Sequence, residues 1–379
     1  MSPVHIGCDD VYEPTSFAID EKKGKLIEFD PMDFIKSLSP RDKQEFTKIC
    51  MEGTISSIVK LYNFISNKKP GGREIDISGS FIKHYDKVKK LSTNNEREIR
   101  QELNQFSISR TAYNPHNNLP YIPGSSIKGA LRTAYLSKLA TDSKVSACWN
   151  TYLQKSEIKT EQDTYYFIGK KKVAKRLEED LLGGEFENDP FRMVKPSDFH
   201  PVGDVKTKIV YTVNKKKLLN PETGERKGCI PQILEVIKED SVFEGTLYVQ
   251  QPKQRSDIKK PISVKELLTA THDFYKKIAN VEDDITHTIG AGHTVINRIV
   301  SKFNEKQRGA SAFLLRIGRH SGVESMTIEG NRWIKTSPPG KPPKFSDKGA
   351  TTIWLASETS NPTSNNGLVP FGWAVMEIM

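Results

Sequence analysis

The chain has 379 residues, with 57 Lys and Arg against 47 Asp and Glu, a formal net charge of +10. At 36 % hydrophobic and 27 % charged residues it has the composition of a folded globular protein rather than a disordered one. No run of roughly 18 or more apolar residues is present, so no membrane helix and no membrane partner are expected. The opening lacks a basic stretch followed by an apolar one, so a cytoplasmic location is expected. The four cysteines, Cys8, Cys50, Cys148 and Cys229, are far apart and form neither a zinc nor a disulfide pattern. No metal and no cofactor are expected. The basic excess favours a polyanionic partner.

In chain order, Ser2 to Gly7 reads as a strand followed by a turn-rich passage. Asp30-Pro31 with Asp33, and then Ser39-Pro40-Arg41-Asp42, carry the N-cap, first-turn proline and early acid of helix starts. Ile55, Ile58, Val59, Tyr62 and Ile65 extend a helical lobe to about residue 66, and Lys69-Pro70-Gly71-Gly72 breaks it. Residues 86 to 105 read as a polar helix. Alternation at Ile209, Tyr211 and Val213, then Ile233 to Ile237 and Val242 to Val249, predicts an antiparallel meander, with a turn at Asn220 to Gly224. Residues 263 to 307 return to helix. Phe313 to Ile317, Thr351 to Leu355 and Trp373 to Ile378 read as strands around a Pro/Gly/Lys loop from Thr336 to Gly349. The expected fold class is α+β.

Two segments concentrate the chemistry that would hold a polyanion. In Ile122-Pro123-Gly124-Ser125-Ser126-Ile127-Lys128-Gly129-Ala130-Leu131-Arg132, either serine can N-cap a helix. Ile127, Leu131, Tyr135 and Leu139 form its apolar stripe. Lys128 and Arg132, four apart, share a face at the edge of that stripe. Free N–H groups, hydroxyls and two cations near one helix start suit a phosphate. An ordinary capped helix with two solvated cations would carry the same sequence. The second segment is Arg316-Ile317-Gly318-Arg319-His320-Ser321-Gly322. Its glycines allow close backbone approach, Arg316 and Arg319 offer charge, and His320 offers a ring. Ser321 with Glu324 has capping-box spacing. Basic clusters lie at Lys170-Lys171-Lys172 with Lys175-Arg176, at Lys215-Lys216-Lys217, and at Lys302, Lys306 and Arg308. For catalysis the candidates are His5 and His320, and for a metal the acidic runs Asp9-Asp10 and Glu282-Asp283-Asp284. His5 in an apolar strand reads as structural, and the acids read as solvated loop or helix-start groups. No catalytic residue is assigned.

The Gly124 to Arg132 segment resembles the G-S-S-x-K-G-x-L-R motif of RAMP proteins, the repeat-associated proteins of CRISPR complexes. Pro3-Val4-His5-Ile6-Gly7 resembles the superfamily's opening strand, and Gly318 to Gly322 its C-terminal glycine-rich loop. Arg319 and His320 stand where the commoner version of that loop has tryptophan and glycine. Asp189-Pro190-Phe191-Arg192 with Ser197-Asp198, Thr351 to Leu355 and Pro370 to Glu377 are similar to the fifth-subunit branch of type III-A (Csm) complexes. The resemblance implies two ferredoxin-like (RRM-like) domains, 1–255 with a helical insertion at about 31–110, and 256–379 with the glycine-rich loop. It implies a non-catalytic subunit binding the 3′ portion of CRISPR RNA (crRNA), capping the filament and serving antiviral defence. Its expected partners are the adjacent backbone RAMP subunit, the small helical subunit, and a host nuclease that trims the crRNA 3′ end. The RNA contacts would come from Gly124, Ser125, Ser126, Lys128, Arg132, Arg316, Gly318, Arg319, His320, Ser321 and Gly322. The alternative is a RAMP endoribonuclease that processes CRISPR RNA.

Overall fold

A computed structural model describes residues 2–92, 95–143, 174–217, 231–253, 256–291, 301, 312–336 and 344–379. The fold is α+β, as expected. The Asp30 carboxylate accepts from Met32 and Asp33 N–H to open α1 (Pro31–Ser37), and Ser39 accepts from Asp42 N–H to open α2 (Pro40–Met51). α3 (Ile55–Ser66) completes that lobe. The single helix expected over 86 to 105 is two, α4 (Gly79–Lys89) and α5 (Glu96–Gln105), the first capped by Ser78.

The main sheet is ordered β1 (Gly7–Val11), β5 (Ile108–Thr111), β9 (Gln232–Ile237), β8 (Thr207–Lys216), β4 (Arg73–Asp76), β3 (Lys25–Glu28), β2 (Phe17–Asp20). The passage expected to be turn-rich therefore contains the β2–β3 hairpin. The first strand starts at Gly7, where it was expected to end, and Val4 makes only an isolated bridge to Ile237. β8 keeps β9 on one edge. Its other edge passes from β4 at Lys208 to β15 (Thr352–Ser357) from Tyr211 onward. The C-terminal part of the chain thereby enters the sheet of the N-terminal part.

The expected strand from Val242 to Val249 is broken at Gly245. Its halves β10 (Val242–Glu244) and β11 (Leu247–Val249) pair with β7 (His200–Val202) and β6 (Val194–Pro196), making a ribbon rather than a meander with β9. A side chain at Gly245 would collide with the Phe199 ring, which fixes glycine at the kink.

α6 (Gly124–Asp142) packs on α7 (Val264–Thr288), which packs in turn on β12 (Ala312–Arg316), the antiparallel partner of β17 (Trp373–Glu377). Ile127, Leu131 and Tyr135 of the expected stripe are buried in this core, and Leu139 is half-buried against it. The largest fully buried side chain nearby is Trp373. The expected Pro/Gly/Lys loop from Thr336 to Gly349 is in part a short hairpin, β13 (Ile334–Thr336) with β14 (Lys344–Ser346), and its residues 337–343 lie outside the described residues. No helix among the described residues is long and apolar enough to cross a membrane.

Candidate nucleic-acid interface

The start of α6 differs from its expected form. Neither Ser125 nor Ser126 caps it; Pro123 occupies the N-cap with no side-chain bond. The Gly124 N–H instead donates to the Asp198 carboxylate at 2.8 Å. A Cβ at Gly124 would lie 2.5 Å from the Pro196 carbonyl, so glycine is required by the closeness of residues 196–197. A fixed acid thus occupies the helix's first free N–H, where an incoming phosphate had been expected. Asp198 also satisfies the positive end of the helix dipole.

The two cations of this helix have separate fates. Arg132 donates to Glu178 (2.7 Å) and Asp189 (2.8 Å), and its guanidinium lies over the Phe191 ring. Arg132 clamps α6 to the helical segment 174–182 and to the 3-10 turn Pro190–Met193; it is not an uncommitted cation. Lys128 makes no ion pair among the described residues. Burial pushes its ammonium below the usual lysine range, with a further contribution from the positive charge of Lys195. Lys195, exposed on β6 across from the 62 % exposed Tyr248, was absent from the expected site. An isolated lysine in Val-Lys-Pro carries no local signal. Ser125 is exposed and Ser126 half-buried at the same end.

The glycine-rich loop follows the same division. Arg316 is buried, ion-paired with Glu282, and bonded through Nε to the Phe371 carbonyl at 2.9 Å. Trp373 Nε1 donates to the other Glu282 oxygen at 2.7 Å, and the Arg316 guanidinium stacks over the Trp373 ring. Arg316 is therefore a support beneath the loop, and Glu282 is a buried partner rather than a solvated acid. Gly318, His320 and Gly322 all adopt positive φ. At Gly318 a Cβ would stand 2.4 Å from the His5 carbonyl, which accepts the Arg319 N–H at 2.8 Å. The expected capping box does not form: Ser321 Oγ bonds back to the Gly318 carbonyl, while Glu324 accepts from Lys217 and from Ala350 N–H.

His320 turns inward against Trp354 and Phe371, with ring centroids 4.8 and 5.6 Å away. Burial pushes its pKa down to about 4, helped by the charge of Arg319, so it is a neutral packed ring. Arg319 is left as the exposed cation of the loop, its stem passing over Gly7.

A backbone ladder brings the two segments onto one framework. Arg319 N–H donates to His5, Ala112 N–H to Ile6, and Tyr121 N–H to Ala112, at 2.8, 2.7 and 3.1 Å. These bonds join the loop, through residues 5–6 and 112, to the segment that leads into α6. His5 is a strand-like residue, 1 % exposed, with Nδ1 bonded to the Glu235 carbonyl and its pKa lowered by burial. Lys175 pairs with Glu179, and Lys217 with Glu324. Lys170, Lys171, Lys172, Lys302, Lys306, Arg308, Cys148, Cys229 and the turn at Asn220 lie outside the described residues.

The family model of the RAMP superfamily matches residues 1–295. The chain belongs to the RAMP superfamily. No curated protein sequence matches it. Among solved structures it is similar to a chain of a Csm–crRNA–target RNA ternary complex of a type III-A CRISPR–Cas system. The TM-score is 0.60 and the identity 18 %, over 100 % of this chain and 98 % of that one. It is also similar to Csm5 of T. onnurineus, with TM-score 0.54 and 18 % identity over 99 % and 98 %. These likenesses hold for the fold along the full length of the RAMP chain. Gly124 and Gly318 are each enforced by close backbone contact.

Proposed function

We propose that this RAMP protein is a non-catalytic, crRNA-binding subunit of a type III-A (Csm) effector complex, holding the 3′ portion of the crRNA and capping the filament. Its two halves are ferredoxin-like units meeting near residue 255. It contacts the adjacent backbone RAMP subunit and the small helical subunit, and a host nuclease reaches the crRNA 3′ end beside it. The observation that carries this reading is Arg319, held exposed at a loop whose backbone conformation, buried Arg316–Glu282 pair and hydrogen bond to His5 are all fixed before any ligand arrives. A preorganised cation on a glycine backbone suits a phosphodiester chain. Lys128 and Lys195 extend the positive charge to the α6 entrance. Gly124, Ser125, Ser126, Gly318, Ser321 and Gly322 shape the backbone around these cations, and His320 props the loop from below.

A non-catalytic role is supported by the two histidines. His5 is sealed from solvent and His320 is packed between rings. Neither has access to a ribose hydroxyl, as general-base catalysis would need. The test is native mass measurement of the assembly co-purified with this chain, followed by incubation of the purified chain with precursor RNA, with and without chelator. One copy at the end of an RNA-containing filament and intact precursor are expected. Multiple adjacent copies would make it the repeated backbone subunit. Cleavage abolished by His5→Ala in a folded protein would establish the endoribonuclease instead.

A further inference from the structure

A cleft of about 540 Å³ lies between α4, α5 and the outer half of β8, remote in sequence from both cation-bearing segments. One face of α4 contributes Lys83, His84 and Lys87 at helical spacing, and β8 contributes Lys215. Lys83 is exposed and Lys215 half-buried, and neither makes an ion pair among the described residues. Lys87 is paired with Glu102 at 2.8 Å. Among the described residues, two of the three lysines are in no ion pair, and only one carboxylate, Glu102, lines the cleft.

The cleft's wall is aromatic. His84 stacks on Tyr211 at 6.0 Å between centroids and 22° between planes, with Nδ1 bonded to the Tyr211 hydroxyl at 3.0 Å. Phe106 meets the same imidazole edge-on at 5.0 Å. Two buried rings therefore fix the imidazole plane while His84 itself remains half-exposed to the cleft. Burial lowers the His84 pKa, so at neutral pH it is an uncharged planar surface. Ser360 and Asn361 also line the cleft and supply hydroxyl and amide groups.

We infer that this cleft is a nucleotide-binding site: a base or ribose rests against His84 while its phosphate is held by Lys83 and Lys215. The volume fits one nucleotide, since small-ligand sites are typically about 300–1,000 Å³. Lysine acts on phosphate as a point charge, and a planar ring accepts any base. The one paired acid of the described lining, Glu102, is taken by Lys87 and leaves Lys83 and Lys215 to a ligand. The site is independent of the crRNA reading above, because none of its residues belongs to that surface.

Calorimetric titration of the full-length chain with adenosine 5′-monophosphate tests it, using inorganic phosphate and adenosine as comparison ligands. Saturable one-site binding of the monophosphate is expected, weakened about tenfold or more by Lys83→Ala/Lys215→Ala. His84→Ala should remove the advantage of the monophosphate over inorganic phosphate. Neither lysine supports the fold through a partner, so the double variant should melt as the parent does. Arg319→Ala should leave the titration unchanged. Absence of monophosphate binding overturns the site, and so does binding that ignores the lysine pair. Equal affinity for inorganic phosphate and monophosphate reduces it to an anion site and removes the nucleotide assignment. Dependence on Arg319 would transfer the ligand to the glycine-rich loop.

Discussion

The entrance of α6 and the glycine-rich loop carry the same kinds of residue, yet the fold uses them in opposite ways. Each has two cations four or three residues apart, and in each one cation is taken by carboxylates, Arg132 by Glu178 and Asp189, Arg316 by Glu282. At α6 the helix end is itself closed by Asp198, and the cation left over, Lys128, is half-buried beside a second lysine. In the loop the backbone is opened by positive φ at Gly318, His320 and Gly322, and the cation left over is exposed. A motif of glycines, hydroxyls and cations thus specifies a backbone shape first. Which of its charges remain available is decided by acids elsewhere in the chain.

The sharpest break of that comparison is Arg316→Ala. It strands Glu282 as a buried acid beneath the loop, its one remaining partner among the described residues being Trp373 Nε1. A loss of about 3–5 kcal/mol is expected in urea denaturation. A variant as stable as the parent would mean that Arg316 is a replaceable surface cation. Next comes Leu131→Ala on α6, a fully buried side chain in the core shared with α7, expected to cost about 2–5 kcal/mol. Arg132→Ala on the same helix should cost far less, about 1 kcal/mol, because its ion pairs are partly exposed to solvent. Equal losses at Leu131 and Arg132 would contradict the division of α6 into core and clamp faces.

A pH-dependent effect separates the loop from the helix. His320 has a folded-state pKa near 4 against an ordinary 6.5, because burial disfavours its charged form. The unfolded chain binds the proton first as pH falls, so this contribution to stability is complete above about 6.5 and is lost progressively towards 4. His320→Gln should flatten the fall in stability across that window, relative to the parent. An unchanged pH slope would mean that the imidazole is solvated, as a base-contacting ring would be. No such difference is expected on substituting α6 residues.

The helix starts at Asp30-Pro31 and Ser39-Pro40 were legible because their caps are satisfied within three residues. So were α3 and α7, where apolar periodicity runs for two turns or more, although α7 ends at Thr288 within the helix expected over 263 to 307. β8 was legible from the apolar Ile209, Tyr211 and Val213, although Val210 and Thr212 between them are buried too. The β2–β3 hairpin and β4 were not: each strand has four residues, and Phe17-Ala18-Ile19 is buried without alternation, leaving no period to detect. At the site, the glycines and the helix were legible but the charge states of the arginines were not. Asp198 reaches Gly124 from 74 residues away, and Glu282 reaches Arg316 from 34. Local spacing holds no trace of either. Glu282 was legible only as one of three consecutive acids.

The smallest change in stability should accompany the largest change in ligand binding. Lys128→Ala/Arg319→Ala removes, from each of the two sequence segments, the cation that no carboxylate of the described residues pairs with. Unpaired surface charges contribute within about 0.5 kcal/mol to folding, so the melting temperature should barely move. Single-stranded RNA binding should weaken instead, with little dependence on sequence, because neither residue belongs to a set that reads base edges. Each lost phosphate contact releases fewer counterions, and the log–log slope of affinity against salt should shrink by about 1.4 for the pair. Testing the two substitutions separately divides that change between regions. If Arg319→Ala alone accounts for it, the glycine-rich loop is the phosphate contact and α6 is scaffold, closed by Asp198. If Lys128→Ala accounts for it, the helix entrance binds RNA despite its acid, through the combined positive charge of Lys128 and Lys195. A double variant that melts early while binding RNA normally per folded molecule would make both cations structural and remove the distinction on which the comparison rests.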